Sequence, residues 1–553
     1  MANSDDVSKR LGEEMRAISV AQFFEKNKHL LGFDNLTRAL LTSVKEAVDN
    51  SLDACEEADI LPDISVQIQQ VDASRYKMIV EDNGPGIIPN KVGEVFAKLL
   101  FGSKFQTFGG KQGRGQQGIG ISAVVLYAQN TTGKPARIIT KTKSAKQATV
   151  VEVKIDVMKN EPIILSQTTI DWKNEHGTRV EVELEAKYVE KKASVSEYLK
   201  ETAIVNPHAS IKFVDPKGNK EIFKRVTDDL PKKSEKMKPH PYGMELGTLE
   251  RLLKVTSART LSSFLTTEFD KVGGTTATEI LKVAGLDPKI GPKFITIEQA
   301  DKLIKAMHSA KIQSPSTNGL SPIGADILKK SLESEYKLDF ACSVTRTPSV
   351  YKGNAFVVEV ALGYGGELDI EGPISLFRFA NRVPLLYQQG ACALTKATTT
   401  TSWKNYGISQ SGNNMPTGPL IVIVHVASVW APFTSESKDA VASIPEIVKE
   451  TKLALQECGR LLGVFIGKRN RSQMAAKKRE MFKNYSIELA RELSKITNQD
   501  EKTLLTKLLQ IAEEMYKSGQ LKPEEEEAQL AKIEKRKVGA FKKDKDEDGD
   551  DYE

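Results

Sequence analysis

In one segment near the start of the chain, apolar residues recur every three or four positions and polar residues lie between them. This spacing predicts a helix over about residues 36–57, with an apolar and a polar side. The apolar side is formed by Leu40, Val44, Val48, Leu52 and Cys55. Glu46, Asn50 and Asp53 project from the opposite side. This polar stripe could hold a divalent cation and orient a water, or it could simply be the solvated face of the helix.

A second pattern is a short β-branched and apolar run that ends at a carboxylate. Residues 76–81 predict a strand, and the chain continues as Asp82-Asn83-Gly84-Pro85-Gly86. A carboxylate at the end of this strand can accept a hydrogen bond from an exocyclic amine, while the glycines let a flat ring approach the main chain. The alternative is an ordinary Asn-Gly hairpin turn.

A third pattern is the glycine cluster at residues 113–120. Gly113, Gly115 and Gly118 match Gly-x-Gly-x-x-Gly, but a polar loop precedes them and no acid lies about 20 residues onward, so we reject a dinucleotide-binding turn. We instead expect a loop that closes onto a helix at 119–128, whose free amides suit phosphate oxygens. Arg114, with Ser103 and Lys104 upstream, would add charge and a hydroxyl group. A surface loop without a ligand is the alternative.

The remaining elements predict an α/β protein. Strands at 148–157 and 178–184 complete a mixed sheet backed by helices, up to about residue 228. Residues 229–312 are helical, with helices around 249–253, 277–283 and 297–307, the last one opened by a capping box of Thr296 and Gln299. Residues 313–466 alternate strands at 355–361 and 421–426 with a helix at 444–462.

The C-terminal part of the chain has a different character. Residues 467–540 form a basic extension, in which 485–516 repeats apolar positions at helical spacing, as in a packing or partner surface. Residues 541–553 form an acidic tail that we expect to be disordered.

Composition narrows the class of protein. With 553 residues and 40% apolar residues, we expect three or four globular domains. The apolar run at 420–429 is too short to span a bilayer, and the N-terminus lacks a signal-peptide core. Four scattered cysteines argue against a zinc site or a disulfide framework, and a cytoplasmic location fits. His425 lies in an apolar strand and is interpreted as a core residue rather than a ligand.

The net charge of +6 is modest, but basic residues gather in two groups that duplex DNA could contact. Solvated surface is an equally good interpretation. The groups are Lys232, Lys233, Lys236 and Lys238, and Lys468, Arg469, Arg471, Lys477, Lys478 and Arg479.

These motifs, in this order and spacing, resemble a known nucleotide site. The stripe at Glu46, the turn at Asp82, the cluster at 113–120 and Gly177-Thr178 are similar to the Bergerat fold of gyrase, heat-shock chaperone, histidine kinase and mismatch-repair ATPases. The variant Arg-Gly-Gln-Gln-Gly-Ile-Gly-Ile resembles the B subunit of the type IIB DNA topoisomerases, known as DNA topoisomerase VI. Further stretches agree with this family, at 101–105, 238–243, 285–288, 380–387 and 435–438.

The resemblance implies ATP and Mg²⁺ as ligands and gives roles to individual residues. Glu46 would be the general base, Asn50 would bind Mg²⁺, Asp82 would bind the adenine amine with Thr178 nearby, and Lys438 would sense the γ-phosphate. The residues expected to wrap the nucleotide are Gly86, Ser103, Lys104, Gly113, Arg114, Gly115, Gln116, Gln117, Gly118, Ile119 and Gly120. On its polar turn alone, Lys438 would be taken as solvent-exposed.

The resemblance also implies an architecture and partners. It places a Bergerat-fold ATPase domain at 1–228, a helix-two-turns-helix domain at 229–312 and a transducer domain at 313–466. ATP would dimerise the ATPase domains around duplex DNA, and the topoisomerase VI A subunit would cut the DNA within an A2B2 assembly at the nucleoid. A mismatch-repair-type ATPase, a gyrase-type enzyme and a chaperone-like clamp are the rival hypotheses, although the chain lacks the acidic cluster that holds the cleavage metals of gyrase.

Overall fold

The structure is a computed structural model that describes residue 15 and residues 17–102, 112–115, 118–190 and 193–517. The acidic tail expected at 541–553 therefore lies outside the described residues. The helices are α1 (Val20–Lys26), α2 (Leu36–Glu57), α3 (Pro89–Ala97), α4 (Gly120–Thr132), α5 (Val195–Val205), α6 (Leu246–Val255), α7 (Leu261–Glu268), α8 (Gly274–Ala284), α9 (Ile297–Ser309), α10 (Ala325–Glu335), α11 (Ala393–Thr399), α12 (Pro445–Thr497) and α13 (Glu501–Lys517).

The strands fall into two sets along the chain. The first set is β1 (Asp63–Gln70), β2 (Arg75–Asp82), β3 (Ala136–Lys141), β4 (Ala148–Asp156), β5 (Glu161–Ile170), β6 (Gly177–Glu185), β7 (Ser210–Val214) and β8 (Lys220–Phe223). The second set is β9 (Phe340–Thr345), β10 (Ser349–Tyr351), β11 (Asn354–Tyr364), β12 (Ser375–Ala380), β13 (Val383–Pro384) and β14 (Leu420–Ser428).

The first set forms one mixed sheet, as predicted. Its strands lie in the order β5-β4-β3-β6-β2-β1-β7-β8, with β1 and β7 parallel and the other neighbours antiparallel. In this register Asp82 at the end of β2 lies opposite Thr178 at the start of β6. The sheet therefore brings two of the predicted site residues together across neighbouring strands.

Helices α2, α4 and α5 cover one face of this sheet and share a core with it. The side of α2 predicted to be apolar is fully inside that core, since Leu40, Val44 and Leu52 are buried. Asn35 caps the start of α2 by accepting a hydrogen bond from the Arg38 amide, so the helix begins where the cap predicts. The polar stripe of α2 is left facing the opposite side.

The second set forms another mixed sheet, in which β12 is parallel to β14 and the other neighbours are antiparallel. Helix α10 packs against it through Leu328 and Leu332. Ile204 and Val205, at the end of α5, belong to the same core. The two sheets are thus joined through α5, and the first compact unit, residues 1–464, contains them both.

The predicted helical region between the sheets is confirmed. Helices α6, α7, α8 and α9 enclose their own apolar core. Thr296 and Gln299 form the predicted capping box at the start of α9. The proposed limits of this region at 229 and 312 remain predictions.

The helix predicted at 444–462 is longer than expected. Helix α12 continues to Thr497, because residues 468–497 contain no glycine or proline and include many good helix formers. The chain divides into two compact units between Val464 and Phe465. Within the part of the chain that the structure describes, no helix is long and apolar enough to cross a membrane.

Candidate functional site

A cavity of about 580 Å³ opens beside the polar face of α2. Most of the predicted site residues line it, including one from the second sheet region. Those residues are Glu46, Asn50, Asp53, Asp82, Gly86, Gly115, Gly118, Ile119, Gly120, Thr178 and Lys438. Four of the expected residues, Ser103, Lys104, Gln116 and Gln117, lie outside the described residues.

Asp82 is a buried carboxylate held from two sides. Its Oδ1 accepts from the amides of Gly84 (2.9 Å) and Thr178 (3.1 Å), and its Oδ2 accepts from the Ser51 hydroxyl at 2.8 Å. Burial raises the pKa of Asp82, while these hydrogen bonds oppose the rise. Oδ2 keeps capacity for one further donor, so the carboxylate can bind an amine that enters the cavity.

The turn after β2 is more than an Asn-Gly hairpin turn. The Asn83 side chain ties it to the start of β1, since Oδ1 accepts from the Asp63 amide and Nδ2 donates to the Leu61 carbonyl. Gly86 has a φ of 75°, and a Cβ there would lie 2.1 Å from the Lys141 carbonyl oxygen. Only glycine fits this position, because a side chain would collide with the Lys141 carbonyl. Gly86 therefore lines the cavity with its backbone alone.

Glu46 lies against the start of α4. A Cβ on Gly120 would be 1.9 Å from Glu46 Oε2, so this glycine gives the carboxylate room beside the first turn of the helix. Among the described residues no side chain caps the start of α4 at Ile119, so the backbone amides of its first turn can bind an anion. The geometry places an acid and an anion-binding helix end next to each other.

Asn50 and Asp53 continue the stripe along the cavity. Asn50 is exposed, and its amide oxygen is available to a ligand. The Asp53 carboxylate pairs with Arg114 at 2.6 Å, so it is already neutralised. The expectation that the whole stripe serves a cation is therefore too broad.

Lys438 enters the cavity from the loop after β14. The residue is 9% exposed, and its Nζ lies 3.4 Å from Glu46 Oε1 and 4.0 Å from Asp49 Oδ2. Burial alone would lower the pKa of Lys438, but the two carboxylates outweigh that effect and raise it. The view of Lys438 as a solvent-exposed residue is wrong.

Helix α2 also holds the loop that carries this lysine. Lys45 Nζ donates to the Ser437 carbonyl at 2.9 Å, and Arg38 donates to the Ser437 hydroxyl at 2.8 Å and pairs with Asp439. Burial and the neighbouring Lys438 lower the pKa of Lys45. These links could not be predicted from local patterns, because they join residues about 400 positions apart.

Asp49 is a site residue that the sequence reasoning missed. It is 2% exposed, and its Oδ1 accepts from the Tyr198 hydroxyl at 3.0 Å, while its Oδ2 finds no hydrogen-bond partner among the described residues. Burial raises its pKa to about 6. Its position three residues after Glu46 put it on the same helix face, which was the available signal, whereas Tyr198 had none.

Arg114 does not point where we expected. Its side chain is 3% exposed and pairs with Asp53 and with Glu56 at 2.7 Å, while Asn206 accepts a further hydrogen bond. Its guanidinium is therefore neutralised inside the protein, which corrects the expectation that its charge contacts a phosphate. Gly113 is also absent from the cavity lining, and its carbonyl accepts from Asn381 at 3.1 Å.

The donor set of the cavity suits Mg²⁺ bound together with a polyphosphate. Asn50 and Glu46 offer oxygen atoms, which this ion prefers, and it commonly keeps several waters and substrate oxygens as ligands. In the described ranges no three His, Cys, Asp or Glu side chains converge on a metal position. An ion in this cavity would therefore need oxygen atoms from a bound ligand.

His425 and the four cysteines are core residues that lie outside the cavity lining. His425 is fully buried and hydrogen-bonded, with Nδ1 2.8 Å from Glu359 Oε2 and Nε2 accepting from the Arg382 amide, so the core interpretation is confirmed. The four cysteines are all free and buried. None of these residues lines the cavity, although Cys55 lies behind the Asp82 turn.

Comparison with known families agrees with this geometry. Residues 35–188 match the family described as histidine kinase-, DNA gyrase B- and HSP90-like ATPase. Residues 315–478 match the family described as topoisomerase VI B subunit, transducer.

Relatives that match most of the chain carry the name of the same topoisomerase subunit. A protein of Methanococcoides burtonii, named as the B subunit of type 2 DNA topoisomerase 6, is 52% identical over 475 residues, which is 86% of this chain and 76% of that protein. Proteins of the same name from Methanosarcina barkeri and Archaeoglobus fulgidus are 50% and 49% identical, over 89% and 88% of this chain and 79% and 80% of their own lengths.

Proposed function

The chain belongs to the B subunit family of type 2 DNA topoisomerase 6, the ATP-driven type IIB topoisomerases, and we propose that its cavity is where ATP is bound and hydrolysed. The main support is that Lys438, from the region of the second sheet, lies 3.4 Å from Glu46 on the helix that lines the cavity. A basic residue and an acidic residue from two different sheet regions thus meet at one place. This arrangement suits a nucleotide that links the two regions.

Asp82 is proposed to recognise the adenine amine through Oδ2. Its other oxygen is already occupied by two backbone amides, which fixes the orientation of the carboxylate. Gly86 and the start of β6 at Thr178 would contact the flat ring. A rigid acceptor in a buried position gives a large penalty to any base that lacks the matching donor.

Glu46 is proposed to orient and deprotonate the water that attacks the terminal phosphate. Phosphoryl transfer needs positioning and charge neutralisation more than covalent help. The free amides at the start of α4 would hold phosphate oxygens beside Glu46, and Lys438 would balance the negative charge. Asn50 would hold Mg²⁺, which when bound neutralises phosphate charge.

Lys438 is further proposed to report whether the γ-phosphate is present. Its ammonium lies among carboxylates in a buried position, so the arrangement of charges around it decides where it is most stable. A phosphate between it and Glu46 would add a negative partner, and the loss of that phosphate would remove it. The loop of Lys438 is anchored to α2 by Lys45, so this change would act on both sheet regions.

Strand cleavage is proposed to belong to a separate protein, the A subunit, which would carry the tyrosine nucleophile in an A2B2 assembly. Two copies of this chain would dimerise on ATP around a DNA crossing. The basic residues Lys232 and Lys236, and those between 468 and 479, are exposed and suit contacts with DNA phosphates. Such contacts would be weakened by salt.

The test is relaxation of supercoiled plasmid by the purified chain with a candidate cleavage subunit. We expect relaxation only when both chains and ATP are present, and no cleavage by this chain alone. Lys438→Ala should abolish relaxation, whereas Lys396→Ala, at an exposed lysine whose ammonium donates to the Ser443 hydroxyl, should not. Nicking by the chain alone would favour a gyrase-type or mismatch-repair-type enzyme. ATP turnover indifferent to DNA and to the cleavage subunit would favour a chaperone-like clamp.

A further inference from the structure

A group of buried polar side chains lies behind the cavity wall and takes no part in the proposed ATP chemistry. It extends from the glycine-rich segment and α2 into the second sheet. We call it the buried polar network; its members are the half-buried Glu56 and the buried Arg114, Asn206, Glu359, Arg382 and His425.

The network begins at the cavity wall. Arg114 precedes Gly115, which lines the cavity, and it pairs with Asp53, which lines it too. The same guanidinium makes two bonds to Glu56, at 2.7 and 2.9 Å. A change in the position of the glycine-rich segment would therefore disturb a buried ion pair, which is costly to leave half broken.

The network enters the second sheet at the turn between β12 and β13. The two central residues of this turn, Asn381 and Arg382, have φ values of 49° and 64°. Both angles are left-handed, as in the two-residue turns that join antiparallel strands. Asparagine adopts this conformation readily and arginine does not, so the turn needs outside support to be fixed in place.

That support comes from both sheet regions at once. Asn381 Nδ2 donates to the Gly113 carbonyl at 3.1 Å, and its Oδ1 accepts from the Ser428 amide of β14 at 2.8 Å. The Arg382 amide donates to His425 Nε2 at 3.0 Å, and the Arg382 carbonyl accepts from Asn206 at 3.3 Å. One side chain, Asn381, thus joins the glycine-rich segment to the central strand of the second sheet.

The network ends at the start of α10. His425 Nδ1 lies 2.8 Å from Glu359, which also accepts from the amides of Ile323 (2.8 Å) and Gly324 (2.7 Å). These bonds hold the two residues that lead into α10, a helix that packs on the second sheet. The chain of contacts therefore runs without a break from the cavity wall to this helix.

Electrostatics couples the two arginines. Burial lowers the pKa of Arg382 to about 10, and while Glu56 opposes this effect, Arg114 adds to it. Both cations thus depend on the same carboxylate. Any movement of Arg114 relative to Glu56 would change the environment of Arg382.

We infer that Asn381 is a positioning residue that, with Arg382, ties Gly113 and Arg114, which lead into the cavity-lining Gly115, to strand β14. The inference rests on the proposed function, because it assumes that ATP fills the cavity. It adds a second connection between the cavity and the second sheet, independent of Lys438. Asn381 does not belong to the described lining of the cavity, so it would act through the backbone of Gly113 and Ser428.

The experiment compares amide hydrogen exchange of the full-length chain with and without a non-hydrolysable ATP analogue. In the wild-type chain the analogue should slow exchange in 378–385 and 421–428 by about fivefold, as expected for one strengthened hydrogen bond. Asn381→Asp keeps the acceptor for Ser428 and the turn conformation but removes the donor to Gly113. It should lose this slowing while its affinity for the analogue, measured by calorimetry, stays within about threefold of wild type.

Asn354→Asp is the matched control, because Asn354 lies in another hairpin of the same sheet and its side chain donates locally, to the Lys352 carbonyl. It should respond to the analogue as wild type does. A merely structural role for Asn381 would raise exchange equally with and without the analogue, and would overturn the inference.

The wild-type chain gives a further test that needs no variant. If it binds the analogue but shows no change in 378–385 and 421–428, the inference is wrong and the proposed function stands. If it binds no analogue, the proposed function fails and the inference falls with it.

Discussion

Asp82→Asn is the substitution that tests the base-recognition part of the site. The asparagine has the same shape, and its Oδ1 can still accept from the amides of Gly84 and Thr178. The amide nitrogen then replaces Oδ2 and can donate to Ser51, whose hydroxyl reverses its role. The turn should therefore fold normally, and only the surface offered to the nucleotide changes.

The expected loss in ATP affinity follows from the hydrogen-bond acceptor that the cavity loses. The wild-type carboxylate offers an ionised acceptor at Oδ2, whereas the variant offers a donor to an amine that is itself a donor. A hydrogen bond to a charged group contributes about 1.5–3 kcal/mol, so binding of ATP should weaken about 10- to 150-fold. A further loss would come from the unpaired amine, because the Asp82 position is only 7% exposed.

The assay is isothermal titration calorimetry of the full-length chain with a non-hydrolysable ATP analogue. Glu81→Gln is the matched control, because Glu81 is the neighbouring residue on β2 but pairs with Arg179 instead. The control should bind as wild type does. Wild-type affinity in Asp82→Asn, with an unchanged thermal midpoint, would refute the assignment of this carboxylate to the base.

The remaining predictions concern the acids of α2 and the glycine turn. Glu46→Gln should bind ATP normally but lower the hydrolysis rate by about 100-fold or more in a phosphate-release assay, and an unchanged rate would exclude Glu46 as the base. Burial raises the pKa of Asp49 from 3.8 to about 6, so the folded chain keeps a proton that the unfolded chain loses. The contribution of this group to folding stability is therefore complete at low pH and declines as the pH rises to about 6. Over that interval the free energy of unfolding of Asp49→Asn should rise by about 3 kcal/mol relative to that of wild type. The thermal midpoints of the two proteins should then diverge between pH 4 and 6 and stay parallel above pH 6. Gly86→Ala should lower the thermal midpoint and abolish nucleotide binding because its Cβ would meet the Lys141 carbonyl at 2.1 Å. Gly133→Ala, with a φ of 70° but no atom within 4 Å, should cost only the backbone strain, and equal effects of the two would rule out the steric explanation.

Local patterns predicted the local parts of the site. The stripe on α2, the carboxylate at the end of β2 and the glycine at the start of α4 each follow from short-range spacing or turn chemistry. The capping box at Thr296 is another example. Such features depend on residues within one or two helical turns of each other, and this is why the sequence alone was enough.

The features that escaped prediction all depend on tertiary contacts. Arg114 looked like a phosphate ligand because it lies between glycines, but Glu56 and Asn206 draw it inward. The pairing of Asp49 with Tyr198 joins two helices that are far apart in the sequence. Lys438 was assigned by resemblance alone, since its own turn is polar and gives no sign of burial.

Some sequence predictions stay open. The domain limits at 228 and 312 stay predictions, and the structure divides into two compact units after Val464. The roles of Glu46, Asn50, Asp82 and Lys438 remain proposals, although the structure gathers all four around one cavity. DNA contacts by the basic residues are likewise predictions.

A crystal structure of the chain with a non-hydrolysable ATP analogue and Mg²⁺ tests the placement of the nucleotide most directly. We predict density for the base at Asp82, for the metal at Asn50, and for the γ-phosphate between Glu46 and the Lys438 ammonium. An analogue bound elsewhere, or a cavity that stays filled by side chains at saturating analogue, would contradict the site described for this chain.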